Sequence, residues 1–261
     1  LRGSYGTGFR ATQAFDTDLH IAFAGGGISR VLISDDLTKE TSKSYNVSLN
    51  YDRPSEHWVA GFTVEGFYTQ LNNAFTLVPI GEDAFGKLFE KRNDQGANVQ
   101  GSTIELRANY DRKIQLETGL TIQSSRFDNK VQYIDEVEGV RDFIKTPNVY
   151  GFANLSFNPN KRLSANINYI YTGIMIVPHF AGAPNHLVDE IVTSSPFSEI
   201  STKIGYSLPI STETNIEIYG GVKNLLNNYQ ETFDIGKNRD SNFVFGPAQP
   251  RTLFVGLKWG I

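Results

Sequence analysis

The side chains best suited to chemistry in this 261-residue chain are its four histidines and the carboxylates beside them. Asp16, Asp18 and His20 crowd one stretch, and His179 and His186 bracket another that continues into Asp189 and Glu190. Imidazole and carboxylate are the donors that first-row divalent metals accept. Neither group has the ligand spacing of a fixed zinc site, so both read as solvated loop residues and no metal site is expected. His57 adjoins Trp58 at a turn and reads as an interfacial residue. Catalysis has no frame here. The chain has no Gly-x-Ser-x-Gly elbow, no His-Glu-x-x-His and no phosphate loop, and its Ser, His and Asp residues are scattered. The absence of cysteine removes a thiolate nucleophile, a thiolate zinc site and a disulfide framework. Gly6, Gly8 and Gly25-Gly26-Gly27 precede no helix start, so they suit sharp turns and not a phosphate cradle. Neither enzyme activity nor a cofactor is expected.

The elements that must carry these residues are strands. Tyr45, Val47, Leu49 and Tyr51 alternate with Ser44, Asn46, Ser48 and Asn50. Ile104, Leu106, Ala108 and Tyr110 alternate in the same way with Thr103, Glu105, Arg107 and Asn109. A period of two puts one set on a greasy face and the other on a wet one. The end of the chain repeats the pattern, with Leu253, Val255, Leu257, Trp259 and Ile261 on one side. Similar stretches at 1–6, 58–68, 116–122, 153–157, 167–171, 202–208 and 216–222 bring the count to about ten strands, with no amphipathic helix. No run approaches the roughly 18 apolar residues of a membrane helix. A net charge of −4 offers no clustered positive field, so nucleic acid is not expected as a partner. The first residues, Leu1-Arg2-Gly3-Ser4-Tyr5, have neither an initiator Met nor a signal core and already read as strand, which suggests a segment of something longer.

Connection lengths alternate. Tight joints rich in Pro, Asn, Asp and Ser lie at 52–56, 111–113, 158–161 and 209–213. Long polar stretches lie at 7–39, 73–98, 127–148, 174–196 and 223–251, well beyond the usual loop of a compact domain. Short turns at one end and long loops at the other are the habit of an outer-membrane barrel. With the tight turns at the periplasmic end, the apolar-face residues nearest them are Tyr51, Trp58, Tyr110, Phe157, Tyr206 and Trp259, an aromatic girdle at headgroup level. The wet face, with Glu65, Glu105, Arg107, Glu117, Lys203, Glu217 and Lys258, suits a hydrated lumen.

Four short motifs in order carry a family resemblance. Gly8-Phe9-Arg10-Ala11 within residues 2–11 is similar to the Gly-Phe-Arg-Ala-Pro segment of TonB-dependent outer-membrane receptors, with Thr12 where Pro is usual. Leu37-Thr38-Lys39-Glu40-Thr41-Ser42 resembles the family's Leu-x-Pro-Glu-x-Ser, with Lys39 in place of Pro. Val222-Lys223-Asn224-Leu225-Leu226-Asn227 resembles its Val-x-Asn-Leu-Phe-Asn box, and Gly246-Pro247 with Pro250-Arg251 resembles its closing segment.

The resemblance implies an all-β fold: an antiparallel transmembrane β-barrel, of which residues 1–261 supply about ten C-terminal strands of a wall of about 22. Signal peptide, TonB box and plug domain would all lie upstream. It implies an outer-membrane active-transport receptor that binds a scarce bulky solute, such as a siderophore, cobalamin or haem, and imports it with TonB energy coupling. The partners implied are outer-membrane lipid, the TonB complex through the plug region, and a small-molecule or metal-complex ligand. By loop position and side-chain type, the expected ligand contacts are Phe15, His20, Phe180, His186, Tyr229 and Phe233. A passive porin or a surface-attached β-sheet adhesin is the alternative reading. In the chain's own residues, Asn224, Asn227 and Asn228 suit strand termination through side-chain to backbone hydrogen bonds.

Overall fold

The computed structural model describes residues 1–12, 30–83, 86–134, 136–211, 214–240 and 243–260. Among them there is no α-helix. The wall consists of β1 (Arg2–Arg10), β3 (Glu40–Pro54), β4 (Trp58–Asn72), β7 (Ala97–Tyr110), β8 (Ile114–Val131), β10 (Val149–Phe157), β11 (Leu163–Thr172), β14 (Phe197–Pro209), β15 (Asn215–Lys223) and β16 (Thr252–Gly260). They pair in that order, each antiparallel to the next. All ten expected strands are present. Among the described residues the sheet does not close on itself, and β1 and β16 are its two edges.

Register fixes the faces. Tyr5, Tyr45, Tyr68 and Gln100 lie in one cross-strand row, and Leu106 continues a row through Phe62 and Tyr51. The alternation carries every apolar set to the same side. That side has no cover: Val47, Leu106, Ile122 and Ile204, in the middle of the sheet, are 57%, 50%, 57% and 60% exposed. The buried apolar residues are Ala74, Ala97, Ile134, Met175, Val177, Ala183, Phe197 and Phe243. These lie in the long connections or at their junctions with the wall. A soluble sheet would invert this, with its mid-strand apolar residues as the core.

The opposite face is polar and internally bonded. Arg107 donates to Asp52 Oδ1 at 2.8 Å, to Thr63 Oγ1 at 2.9 Å and to Asn50 Oδ1 at 2.8 Å, bridging three strands. Hydroxyl pairs Ser44–Thr69 and Thr103–Thr121 each close at 2.9 Å. Aromatic rings on this face pack against cross-strand glycines. A Cβ on Gly119 would stand 2.6 Å from the Phe152 ring, its cross-strand partner, so only glycine admits the ring there.

The long connections differ from the polar loops expected. β1 runs on to Arg10 and β8 to Val131, and β7 already begins at Ala97, so the wall rises into segments expected to be loop. Above it β2 (Arg30–Ile33) pairs in parallel with β6 (Gly86–Asn93), and β6 pairs antiparallel with β5 (Phe75–Asp83). β9 (Val140–Asp142) pairs with β8, and β12 (Ile176–His179) with β13 (Glu190–Thr193). Unpaired backbone inside a stretch this long would be costly to bury, and these ladders satisfy it.

The Asn224 motif ends β15 as its residue types suggest. Asn224 and Asn227 sit at φ 48° and 54°, the left-handed region that Asn tolerates better than other side chains. Asn224 Nδ2 donates to the carbonyls of Asn228 at 3.1 Å and Gln249 at 3.0 Å, while its Oδ1 accepts from Asn228 N at 3.1 Å. Arg251 N donates to Asn227 Oδ1 at 2.9 Å, which fastens the start of β16 to the same turn.

Candidate functional site

Two long connections meet above the wall: 173–196, between β11 and β14, and 224–251, between β15 and β16. The run Ile174-Met175-Ile176-Val177 is too apolar for a solvated loop. It folds as the first arm of the β12–β13 hairpin, closed at its base by Ser194 N to Met175 O at 2.8 Å and Met175 N to Ser194 Oγ at 2.9 Å. Met175 and Val177 then pack on Phe243 from the other connection, flanked by Val192 and Phe245. Gln230, 2% exposed, holds that second connection in shape. It accepts from the backbone N–H groups of Phe245 and Gly246 and donates to the carbonyl of Phe243.

On this small core sits a polar cluster. His179 Nε2 lies 3.0 Å from Asp234 Oδ1, both side chains being buried. Asp234 Oδ2 accepts from Asp240 N at 3.0 Å, and Asp240 Oδ2 accepts from Phe180 N at 3.0 Å. The two buried aspartates thus lace the hairpin to the second connection with charge-assisted bonds. Lys145 joins from a third connection through its N–H to the Ile176 carbonyl at 2.8 Å. Burial holds its ammonium below the ordinary range, and the Asp240 carboxylate partly offsets that.

The tip of the hairpin folds back. Gly182, at φ 141°, donates to His186 O at 3.1 Å, and His186 N donates to Ala183 O at 3.0 Å. The His186 ring therefore lands on the His179 ring, with centroids 3.4 Å apart and planes 1° from parallel. His179 stacks in turn on Phe243 at 3.5 Å and 4°. Glu190 Oε1 is 4.0 Å from His186 Nδ1. One donor atom from each of His179, His186 and Glu190 falls within 4.8 Å of the others.

Of the expected ligand contacts, Phe15 and His20 lie outside the described residues, as do Asp16 and Asp18. Phe180 and His186 belong to the hairpin, half-buried. Tyr229 and Phe233 are half-buried on the second connection, which the aspartates bring against the hairpin. His179 is legible in the sequence as a loop residue, whereas Asp234, Asp240, Gln230 and Phe243 carry no local sign of their role. The only local signal was the apolar run before His179; the partners stand far along the chain. At the opposite end of the wall, Tyr51, Trp58, Phe157, Tyr206 and Trp259 are 51%, 49%, 40%, 42% and 63% exposed on the apolar face beside the tight turns. Tyr110 pairs with Trp58 at a ring distance of 4.7 Å.

The family described as TonB dependent receptor-like, beta-barrel matches residues 1–225. The chain belongs to the TonB-dependent receptors. Solved barrels of this family share the fold. The ferric-catecholate import receptor Fiu of E. coli K12 superposes with a TM-score of 0.62 at 17% identity, over 98% of this chain and 32% of that one. The ferripyoverdine receptor of Pseudomonas aeruginosa, bound to ferripyoverdine, gives 0.64 at 12% identity, over 99% and 30%. The siderophore receptor PirA of Acinetobacter baumannii gives 0.60 at 15% identity, over 99% and 38%. The chain thus spans about a third of the length of these solved receptors. No curated protein matches it by sequence. A TonB-dependent receptor barrel is a transport-receptor wall of the bacterial outer membrane, which accounts for the uncovered apolar face.

Proposed function

We propose that residues 1–261 form the C-terminal part of the wall of an outer-membrane receptor that imports a scarce, bulky solute with TonB energy coupling. The observation that carries the reading is the joining of two features in one chain of this family. One is a wall with its apolar face bare and its polar face internally bonded. The other is a set of long connections that build a packed platform at a single end. A wall of this kind holds an upstream plug through its wet face, while the platform contacts solute outside. Phe180, His186, Tyr229 and Phe233 supply aromatic and polar contacts from that platform, and Phe15 and His20 belong to another long connection. The girdle from Tyr51 to Trp259 anchors the turn end at the headgroups. Ferric siderophores lead the solute classes, because receptors of similar fold are named for ferric-catecholate import and for bound ferripyoverdine.

The test uses the full-length receptor in iron-starved cells, measuring uptake of labelled ferric catecholate and ferric pyoverdine with and without a working TonB. Uptake of either that needs both the receptor and TonB supports the reading. Conductance of purified receptor in a planar bilayer with no TonB-dependent uptake of any solute class would make it a passive porin.

A further inference from the structure

We infer that His179, His186 and Glu190 form a binding site for one first-row divalent metal ion of the zinc type, which braces the tip of the β12–β13 hairpin beside the connection between β15 and β16. The inference does not depend on which solute the receptor carries.

One ring nitrogen of each histidine is already in use. His179 Nε2 faces Asp234 Oδ1 at 3.0 Å, so that nitrogen carries the proton and donates it. His186 Nε2 faces the His179 carbonyl at 3.4 Å, which only accepts, so His186 holds its proton there as well. In the neutral form of each ring, the form that binds a metal, the lone pair is left on Nδ1. A metal-bound histidine typically donates its other ring N–H to a carboxylate or a backbone carbonyl, and both arrangements occur here side by side. The carboxylate behind His179 is itself fixed, since Asp234 Oδ2 accepts from Asp240 N at 3.0 Å. A fixed carboxylate behind the open nitrogen of His179 is a feature beyond mere proximity of ligating residues.

The third donor and the charge agree. Glu190 is paired across the hairpin with His179 and stands four residues beyond His186. Its Oε1 is 4.0 Å from His186 Nδ1, too far for a hydrogen bond and near enough for the two to share an ion once the ring turns. Asp234 and Asp240 are buried and Glu190 is half-exposed, whereas Lys145 is the cation placed against Asp240. A divalent ion adds positive charge where Asp234 and Glu190 stand beside the two imidazoles.

The stacked rings set the coordination step. Parallel imidazoles 3.4 Å apart direct their lone pairs along their own planes, so a shared ion requires one ring to turn. His179 is held on both sides, by Asp234 and by Phe243. His186 is held by one long hydrogen bond and belongs to the turn, so it is the ring that swings out and opens the stack. Two imidazoles and a carboxylate leave a fourth position of a tetrahedral ion to water.

The experiment uses full-length receptor in detergent, stripped with chelator and titrated calorimetrically with Zn²⁺. Co²⁺ serves as a parallel probe whose visible absorption reports nitrogen and oxygen ligation. The expected result is one equivalent of Zn²⁺ that His186→Ala or Glu190→Gln weakens at least tenfold. Asp234→Asn, which spares the ligands, should weaken it about 10- to 100-fold. His57→Ala, at the opposite end of the wall, should leave it unchanged. Glu190→Gln alters an exposed side chain, and matched thermal melts confirm folding of each variant. Absence of a stoichiometric site in the wild-type receptor, or an affinity equal in wild type, His186→Ala and Glu190→Gln, would overturn the proposal.

Discussion

At the scale of single residues, the platform is governed by what lies next to polar groups taken out of water. Tyr133, in the connection after β8, has its phenol pushed up to about 12 because burial disfavours the phenolate more than a hydrogen bond with Ile144 favours it. An unfolded tyrosine ionises near 10. The folded protein therefore keeps a proton that the unfolded one has lost, and stability falls as pH rises between about 10 and 12. Tyr133→Phe should remove this contribution, on the order of 2–3 kcal/mol at its full extent. Denaturant titrations of the two proteins at pH 8 and pH 12 would show it as a smaller alkaline loss in the variant. The residues of the platform were the least legible from sequence. Phe180 and His186 could be nominated because aromatic and imidazole groups in a long loop suit ligand contact. Asp234 and Asp240 could not, because a carboxylate becomes an anchor only when folding brings a distant imidazole or N–H group to it.

At the scale of elements, the wall was legible and the platform was not, for one physical reason. A strand with lipid on one side and water on the other writes a period of two into its own sequence, so β3, β7 and β16 were readable without any partner. The pairing of β2 with β6 is parallel and non-local, and neither strand has a period of its own to reveal it. The β12–β13 hairpin is apolar because Phe243 covers it, information held in another segment. The Asn224 turn is the exception, because its chemistry is local: an amide side chain that tolerates left-handed backbone and can bond the chain around it. Asn224→Ala would strand the carbonyls of Asn228 and Gln249 and place Ala at φ 48°. A loss of about 2–4 kcal/mol follows from the unsatisfied groups and the backbone together. Unfolding of the variant in detergent checks it, with Asn224→Gly expected to recover the backbone share only.

At the scale of the whole molecule, the decisive feature is that the wall lacks a core of its own among the described residues. Its buried apolar side chains collect in the connections, while Val47, Leu106, Ile122 and Ile204 stand bare. Only a solvent of hydrocarbon makes that arrangement stable, and a sheet with satisfied ladders is one of the few ways to cross it. Leu106 lies about 13 Å along β7 from Tyr110 at the turn end, near the middle of an apolar band about 25 Å tall. Leu106→Arg should then cost about 2–4 kcal/mol in folding into bilayers, against less than about 1 kcal/mol for the neighbouring lumen change Glu105→Gln. Folding titrations into lipid vesicles measure both.

The most direct measurement exploits the absence of cysteine from the chain. Single cysteines placed from Thr103 to Ala108 in the receptor and labelled with a nitroxide report, in lipid vesicles, their contact with oxygen from the acyl region and with a water-soluble nickel chelate. A lipid-facing wall gives a period of two, with Ile104, Leu106 and Ala108 relaxed by oxygen and Thr103, Glu105 and Arg107 by the chelate. A result in which labels at Ile104, Leu106 and Ala108 are shielded from both reagents, as in a closed protein interior, would contradict it.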